Sequence, residues 1–105
     1  MQVDGLVMIP MRDGVRVGAS ILWPDESREP RPVILQRALN RKRAIDASVI
    51  REMVDAGYVF INSDIRGRFD SEGVWDPRDA AQEGRDGYDT VEWIAAQPWC
   101  DGNVG

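Results

Sequence analysis

Histidine is absent from this chain of 105 residues, and cysteine occurs once, as Cys100. Histidine is the usual proton acceptor near neutral pH and a common zinc ligand. Chemistry that needs an imidazole base or a histidine-bound metal therefore cannot be completed by these residues alone, and we predict no metal and no cofactor. With a single cysteine, no internal disulfide can form.

Positive charge is also scarce, with 13 basic against 18 acidic residues and a net charge of −5. Binding to a phosphate backbone needs clustered lysine and arginine, so a nucleic-acid partner is not expected. The densest basic run, residues 37–43, has no glycine-rich cradle for a phosphate group. We predict that this run is a solvated loop beside the start of a helix.

Long apolar segments are missing as well. No stretch approaches the roughly 20 apolar residues that a membrane-spanning helix requires. The N-terminus lacks a basic region followed by an apolar run, so no secretory signal is predicted. We expect no membrane association and a cytoplasmic location.

The sequence begins with a hairpin pattern. Residues 6–10 are apolar, the turn signal Asp13-Gly14 follows, and residues 15–23 alternate between apolar and small or polar side chains. This pattern predicts an antiparallel hairpin with one buried face. The charged, proline-containing residues 24–32 are predicted to form a surface loop.

Two short apolar runs, residues 33–35 and 58–61, fit strands that are buried on both faces. Between them a helix is predicted, with Asp46 or Ser48 as its N-cap and Gly57 as its terminator. Its apolar positions are Val49, Ile50, Met53 and Val54. A strand, a helix and a strand with short connections predict a parallel pair.

A second helix is predicted over residues 85–97, after a polar loop at residues 66–84. Its acidic residues near the start should complement the helix dipole; they are Asp86, Asp89 and Glu92. Its apolar stripe is predicted from Tyr88, Val91, Ile94 and Ala95. Residues 103–105 read as the start of another strand. We expect a fragment, because the two apolar strands would otherwise leave a hydrophobic sheet edge unpaired.

Four segments then stand in a distinctive order and spacing. They are Met8-Ile9-Pro10-Met11-Arg12-Asp13-Gly14-Val15-Arg16; Gly57-Tyr58 with Asp64-Ile65-Arg66-Gly67-Arg68 and Asp70-Ser71-Glu72-Gly73; Asp86-Gly87-Tyr88-Asp89-Thr90 with Glu92-Trp93-Ile94 and Gln97-Pro98-Trp99; and Asp101-Gly102-Asn103-Val104-Gly105. Together they resemble the N-terminal part of the X-prolyl dipeptidyl-peptidase and cocaine-esterase-like family of serine hydrolases. The resemblance covers nearly the whole chain.

This resemblance implies the N-terminal portion of an α/β-hydrolase fold, with an antiparallel opening hairpin and then parallel strands joined by crossover helices. It implies a Ser-Asp-His triad whose serine lies on a Gly-x-Ser-x-Gly elbow. Residues 1–105 would be the first part of the catalytic domain, truncated just before that elbow, and would hold no triad residue. The full-length parent would cleave small-molecule esters, amides or peptides through an acyl-enzyme intermediate.

One active-site position of the family falls within this chain. After the third strand the family usually has Asn-Pro-Tyr, and the tyrosine hydroxyl helps to form the oxyanion hole. Here the sequence is Arg37-Ala38-Leu39-Asn40, which puts Asn40 at the tyrosine position. An asparagine amide can donate to an oxyanion, but asparagine is also a common turn residue. Both interpretations remain open, as does a non-catalytic remnant or interaction module of the same ancestry.

A charged loop follows the second apolar strand, at the edge where α/β sheets bind ligands. Its members are Asp64, Arg66, Arg68, Asp70 and Glu72. Catalytic carboxylates are one interpretation. The favoured one is that Asp64 and Arg66 tie the loop together by ion pairs and backbone hydrogen bonds, while Gly67 and Gly73 permit its turns. Trp93, Trp99 and Cys100 are predicted to be packing residues, whereas Trp75 could face a substrate cleft.

Overall fold

The computed structural model describes residues 2–37, 47–67, 71–76 and 78–105. Within these ranges the elements in chain order are β1 Gln2–Pro10, β2 Arg16–Trp23, β3 Arg31–Arg37, α1 Ala47–Asp55, β4 Val59–Ser63, α2 Ala80–Ala95 and β5 Cys100–Val104. The strands form one mixed sheet in the order β1-β2-β4-β3-β5. The predicted α/β class is confirmed.

The opening hairpin is confirmed, with β1 and β2 paired antiparallel from Gln2↔Trp23 to Pro10↔Arg16. The turn closes where the Met11 N–H donates to the Val15 carbonyl at 2.8 Å, and Gly14 adopts a φ of 87°. Alternate residues of β2 are buried, as the sequence pattern requires of a half-buried strand.

The predicted parallel pair is also confirmed, since β3 lies parallel to β4 from Val33↔Val59 to Arg37↔Ser63. The prediction that β3 and β4 would leave an unpaired sheet edge is wrong. β4 pairs antiparallel with β2 on its other side, and β3 pairs with β5. The last strand begins at Cys100 rather than near Asn103, so it is long enough to cover β3.

Helix α1 ends in a Schellman motif at Gly57, as predicted. The Gly57 N–H donates to the Val54 carbonyl at 3.0 Å, and the Tyr58 N–H donates to the Met53 carbonyl at 3.2 Å. Gly57 has a φ of 102°, which glycine adopts without strain. Val54 is fully buried, whereas Val49 faces outward at 44% exposure, and Asp46 lies outside the described residues.

Helix α2 differs most from its prediction. It begins at Ala80, because the Asp79 carboxylate caps it by accepting the Gln82 N–H at 3.0 Å. Asp86 is therefore in the middle of the helix and buried, so its predicted role near the helix start is wrong. The predicted apolar stripe is also wrong at Tyr88 and Val91, whose side chains are exposed.

The buried face of α2 instead carries Asp86, Thr90 and Ile94 at helical spacing. Thr90 is accommodated because its hydroxyl donates to the Asp86 carbonyl at 2.7 Å. Ile94 joins the main core, which lies between α2 and one face of the sheet. That core consists of Ile9, Met11, Val17, Ala19, Ile21, Trp23, Val33, Val59, Ile61, Ile94 and Cys100.

The predicted packing residues at the end of the chain are confirmed. Trp99 stands edge-on to Trp23, with ring centroids 5.1 Å apart, and edge-on to Trp93 at 6.3 Å. Trp93 and Trp99 are partly buried against the core, and Cys100 is 8% exposed. These rings fix the turn from α2 into β5, which holds the last strand beside β3.

Candidate active site

An open cavity of about 550 Å³ lies beyond the carboxyl ends of the parallel strands β3 and β4. Its walls come from the end of β3, the segment after β4 and the start of α2. The lining residues are Arg37, Ile65, Trp75, Asp76, Asp79, Ala80 and Glu83. This edge is where open α/β sheets bind their ligands. Asn40 follows Arg37 by three positions and lies outside the described residues.

Arg66 forms ion pairs with carboxylates from two other parts of the chain. Its Nε and one terminal nitrogen donate to the two Asp86 carboxylate oxygens at 2.8 and 2.9 Å. Its other terminal nitrogen donates to Asp13 at 2.8 Å. These hydrogen bonds raise the pKa of Arg66, and the bond from Arg66 is the main reason why the pKa of Asp13 lies below its ordinary value. The hairpin turn, the loop after β4 and α2 are thereby connected.

The loop after β4 is also hydrogen-bonded to β2. Glu72 accepts from Arg16 at 2.7 Å, and the Gly18 N–H donates to the Ser71 hydroxyl oxygen at 2.9 Å. The bond from Arg16 holds the pKa of Glu72 below its usual range. Arg66 thus forms ion pairs, as predicted, but they connect the loop to the hairpin turn and to α2 rather than joining residues within the loop. Arg68 and Asp70 lie outside the described residues.

Gly67 brings the Trp75 backbone against this loop. Its φ is 74°, and a Cβ built on it would stand 2.1 Å from the Trp75 nitrogen. Only glycine allows two backbone segments to approach this closely. Trp75 is consequently held at the wall of the cavity, with its side chain partly exposed. Trp75 therefore lines this cavity, and its exposure to a substrate stays a prediction.

The prediction of a solvated loop is wrong for Arg37. It is the last residue of β3, not part of a solvated loop, and its side chain is only 18% exposed. Its guanidinium forms an ion pair with the Glu83 carboxylate and lies against Gly87, both on α2. Two features of the sequence indicate a contact with α2. Arg37 stands at the end of a buried strand, and Glu83 and Gly87 are one helical turn apart.

Within the residues that the structure describes, cysteine, aspartate and glutamate side chains form no group of three or more arranged to hold an ion. Among the helices described, none combines the length and the apolar character that crossing a membrane would need.

The family model of X-Pro dipeptidyl-peptidase (S15 family) matches residues 13–105. The chain belongs to this family. Cocaine esterase from Rhodococcus sp. (strain MB1 Bresler) is similar to it, with 41% identity over 104 residues that cover 94% of this chain and 18% of the esterase. The chain thus spans about a fifth of the length of this curated relative.

Solved structures agree with membership of the S15 family. An alpha-amino acid ester hydrolase superimposes with a TM-score of 0.80 at 25% identity, covering 99% of this chain and 20% of the hydrolase. A CocE/NonD family hydrolase from Staphylococcus aureus gives a TM-score of 0.82 at 23% identity, covering 98% of this chain and 22% of that one. The fold is therefore an incomplete α/β-hydrolase, as the resemblance implied.

Proposed function

We propose that the chain is the N-terminal part of the catalytic domain of a serine hydrolase that cleaves ester or amide bonds, including peptide bonds. The observation that carries the proposal is the S15 family match over residues 13–105. The cavity at the carboxyl ends of β3 and β4 supports it, because it lies where this class of sheet binds substrates.

The reaction in this proposal proceeds through an acyl-enzyme, with a serine nucleophile activated by a histidine base. Neither the base nor a Gly-x-Ser-x-Gly elbow is present in residues 1–105. The catalytic triad would come from further sequence, and these residues alone would be inactive. Their contribution is one wall of the substrate cavity and one oxyanion donor.

Asn40 is the proposed oxyanion donor. The family's tyrosine position aligns with it, and an asparagine side-chain N–H can donate to the developing negative charge of a tetrahedral intermediate. The asparagine side chain is shorter than a tyrosine side chain, which distinguishes this donor from the usual one of the family. We expect Asn40→Ala to lower kcat of the full-length enzyme by roughly 10²–10³-fold, the usual effect of losing such a donor.

The substrate class follows from the relatives. The curated relative is named as an esterase, a superimposed structure as an amino acid ester hydrolase, and the family as a dipeptidyl-peptidase. Esters and short peptides share an acyl carbon that the same nucleophile can attack. We therefore propose small-molecule esters, amides or peptides as the substrates of the full-length protein.

Covalent labelling tests the proposal directly. The full-length product of the reading frame and the 105-residue chain should be treated in parallel with a fluorophosphonate, which modifies activated serines. We expect stoichiometric labelling and a nitrophenol burst from p-nitrophenyl acetate in the full-length product, and neither in the 105-residue chain. Comparing this ester with an X-prolyl p-nitroanilide then separates esterase from peptidase activity. An unlabelled full-length product would contradict the proposal.

A non-catalytic interaction module is the second candidate. Two observations favour it, namely Asn40 at the tyrosine position and the pairing of both apolar strands on each side. The same experiment separates the candidates. A reading frame that stops after Gly105, together with a cooperatively unfolding and unlabelled monomer, would establish the module.

A further inference from the structure

Trp75 is placed differently from the other tryptophans of the chain. Trp23 is buried in the core, and Trp93 and Trp99 are partly buried against it. Edge-on ring contacts join these three side chains. Trp75 instead lies in the segment between β4 and α2, where it is partly exposed and borders the cavity of about 550 Å³. Ligand pockets are lined mainly by aromatic and apolar side chains, so this position suits contact with a ligand.

The packing around Trp75 is less complete than in the core. Its side chain also lines a second, smaller cavity of about 40 Å³, whose other walls include Arg66, Gln82 and Asp86. A side chain that borders a void loses dispersion contacts on that side. Trp75 therefore stabilises the fold less than Trp23, which is 3% exposed within the core. Stability gives only a weak reason for a tryptophan at this position.

The backbone that carries Trp75 is held by the loop after β4. A Cβ on Gly67 would stand 2.1 Å from the Trp75 main-chain nitrogen, so the two segments are in direct contact. The Gly67 N–H donates to the Glu72 carbonyl at 2.9 Å, and the Glu72 N–H donates to the Arg16 carbonyl of β2 at 2.8 Å. The sheet thus supports the wall of the cavity. A side chain on such a support loses little freedom when a ligand binds, which favours selectivity.

The chemistry of the larger cavity indicates which group it can take. Its volume lies within the roughly 300–1,000 Å³ that is usual for small-molecule pockets. An uncharged ring would bury apolar surface against the indole, whereas an anionic group would be repelled by carboxylates that outnumber the one guanidinium. The apolar wall residues are Ile65, Trp75 and Ala80, and the charged ones are Arg37, Asp76, Asp79 and Glu83.

We infer that Trp75 is a specificity-determining residue whose indole packs against an uncharged ring of the substrate. The inference rests on the proposed function, because it takes this cavity as part of the substrate site of the full-length hydrolase. Contacts between aromatic rings contribute about 2–10-fold in affinity beyond the area that they bury. The contact is made in the bound substrate and in the transition state alike, so it acts mainly on KM.

Three uncharged esters separate ring recognition from hydrolysis itself. Methyl phenylacetate has a ring in its acyl group, benzyl acetate has one in its alcohol group, and ethyl acetate has none. Titration of the released acid gives the rate for each. In Trp75→Ala of the full-length enzyme, we expect kcat/KM for one ring-bearing ester to fall about tenfold relative to ethyl acetate, mainly through KM. The ester affected identifies the side of the cleaved bond that lies in the cavity.

Trp75→Phe keeps an aromatic ring at the same position. We expect this variant to retain most of the preference for the ring-bearing ester, because a phenyl ring can still pack against the substrate. It also tests the inference if Trp75→Ala does not fold. Equal changes in kcat/KM for all three esters in the two variants would overturn the inference.

Val74→Ala is the matched control. Val74 precedes Trp75 in the same segment, and its side chain is 82% exposed. The substitution shortens a side chain at the same place without removing a ring. We expect Val74→Ala to keep the wild-type order of preference among the three esters. A loss of preference as large as in Trp75→Ala would mean that movement of the segment sets the selectivity, and would overturn the inference.

A binding measurement separates this inference from the proposed function. Benzyl alcohol, an uncharged ring without an ester bond, is titrated into the ¹⁵N-labelled full-length protein while the indole N–H signals are recorded. The Trp75 signal is the one that disappears in Trp75→Phe. We expect it to shift and saturate, while the signals of Trp23, Trp93 and Trp99 stay in place.

The two proposals then fail in different ways. A wild-type protein without hydrolase activity would contradict the proposed function, and the titration would still decide the role of Trp75. A Trp75 signal that does not respond to benzyl alcohol would overturn the inference, even if the full-length protein hydrolyses all three esters.

Discussion

Arg66 and Arg37 occupy comparable places and have different surroundings. Arg37 is the last residue of β3, and Arg66 follows the adjacent parallel strand β4. Each contacts a carboxylate of α2. Arg66 divides its donors between Asp86, whose side chain is 3% exposed, and Asp13. Arg37 pairs with the half-exposed Glu83 and leaves its Nε without an acceptor among the described residues.

The two arginines differ in how fully their hydrogen-bond donors are used, although they lie at the same edge of the sheet. Arg66 connects the hairpin turn, the loop after β4 and α2, and its bidentate pair with Asp86 is among the strongest contacts that a guanidinium and a carboxylate can form. Arg37, by contrast, lines the open cavity and pairs with a half-exposed carboxylate. Hydrogen-bond saturation therefore distinguishes an arginine that connects parts of the fold from one that borders the cavity.

The largest expected effect on stability comes from removing the Arg66 side chain. Arg66→Ala would leave the buried Asp86 carboxylate with the Gln82 amide as a donor but without the cation that neutralises it. Breaking a buried ion pair in this way costs about 3–5 kcal/mol of unfolding free energy. Arg37→Ala should cost less than about 1 kcal/mol, as is usual for a partly exposed pair. Urea unfolding of the two variants measures both values. Equal losses would show that the two arginines contribute alike to the stability of the fold.

Much of the fold could be predicted from local patterns. The hairpin follows from the alternation in β2 and the Asp13-Gly14 turn, and the end of α1 follows from Gly57. The start of α2 could not be found in this way, because Asp79 is one polar residue among many in a long charged stretch. The pairing of β5 with β3 depends on contacts that are distant in sequence.

The candidate site was less predictable. The charge of Asp86 is visible in the sequence and predicts a dipole-compensating residue, whereas its burial depends on Arg66, 20 residues away. The basic residues that follow Arg37 suggest one charged loop, although the strand ends at Arg37 itself. Only the resemblance to a family points to Asn40, since no local pattern distinguishes an oxyanion donor from a turn asparagine.

A second, smaller effect probes the loop that carries Arg66. Gly67→Ala would combine an unfavourable positive φ with a Cβ 2.1 Å from the Trp75 nitrogen, so the loop must move. Gly102→Ala is the matched control, since Gly102 has a φ of 96° and nothing within 4 Å of the added Cβ. We expect the control to lose about 1 kcal/mol through backbone strain alone and Gly67→Ala to lose roughly 2–3 kcal/mol. Similar Tm values for the two variants would show that the contact between Gly67 and Trp75 is dispensable.

The smallest effect concerns the pH dependence of the Arg66 ion pairs. The pKa of Asp13 is lowered, first by its hydrogen bond from Arg66 and then by the Val15 N–H. Folding therefore favours the ionised carboxylate, and its contribution is present above the ordinary aspartate pKa of about 4 and is lost as pH falls through the lowered value. We expect the urea midpoint to decrease on acidification below about pH 4. Asp13→Asn, which cannot ionise, should show a shallower decrease over the same interval. An unchanged slope would mean that Asp13 is not an effective partner of Arg66 in solution, and that Arg66 pairs with Asp86 alone.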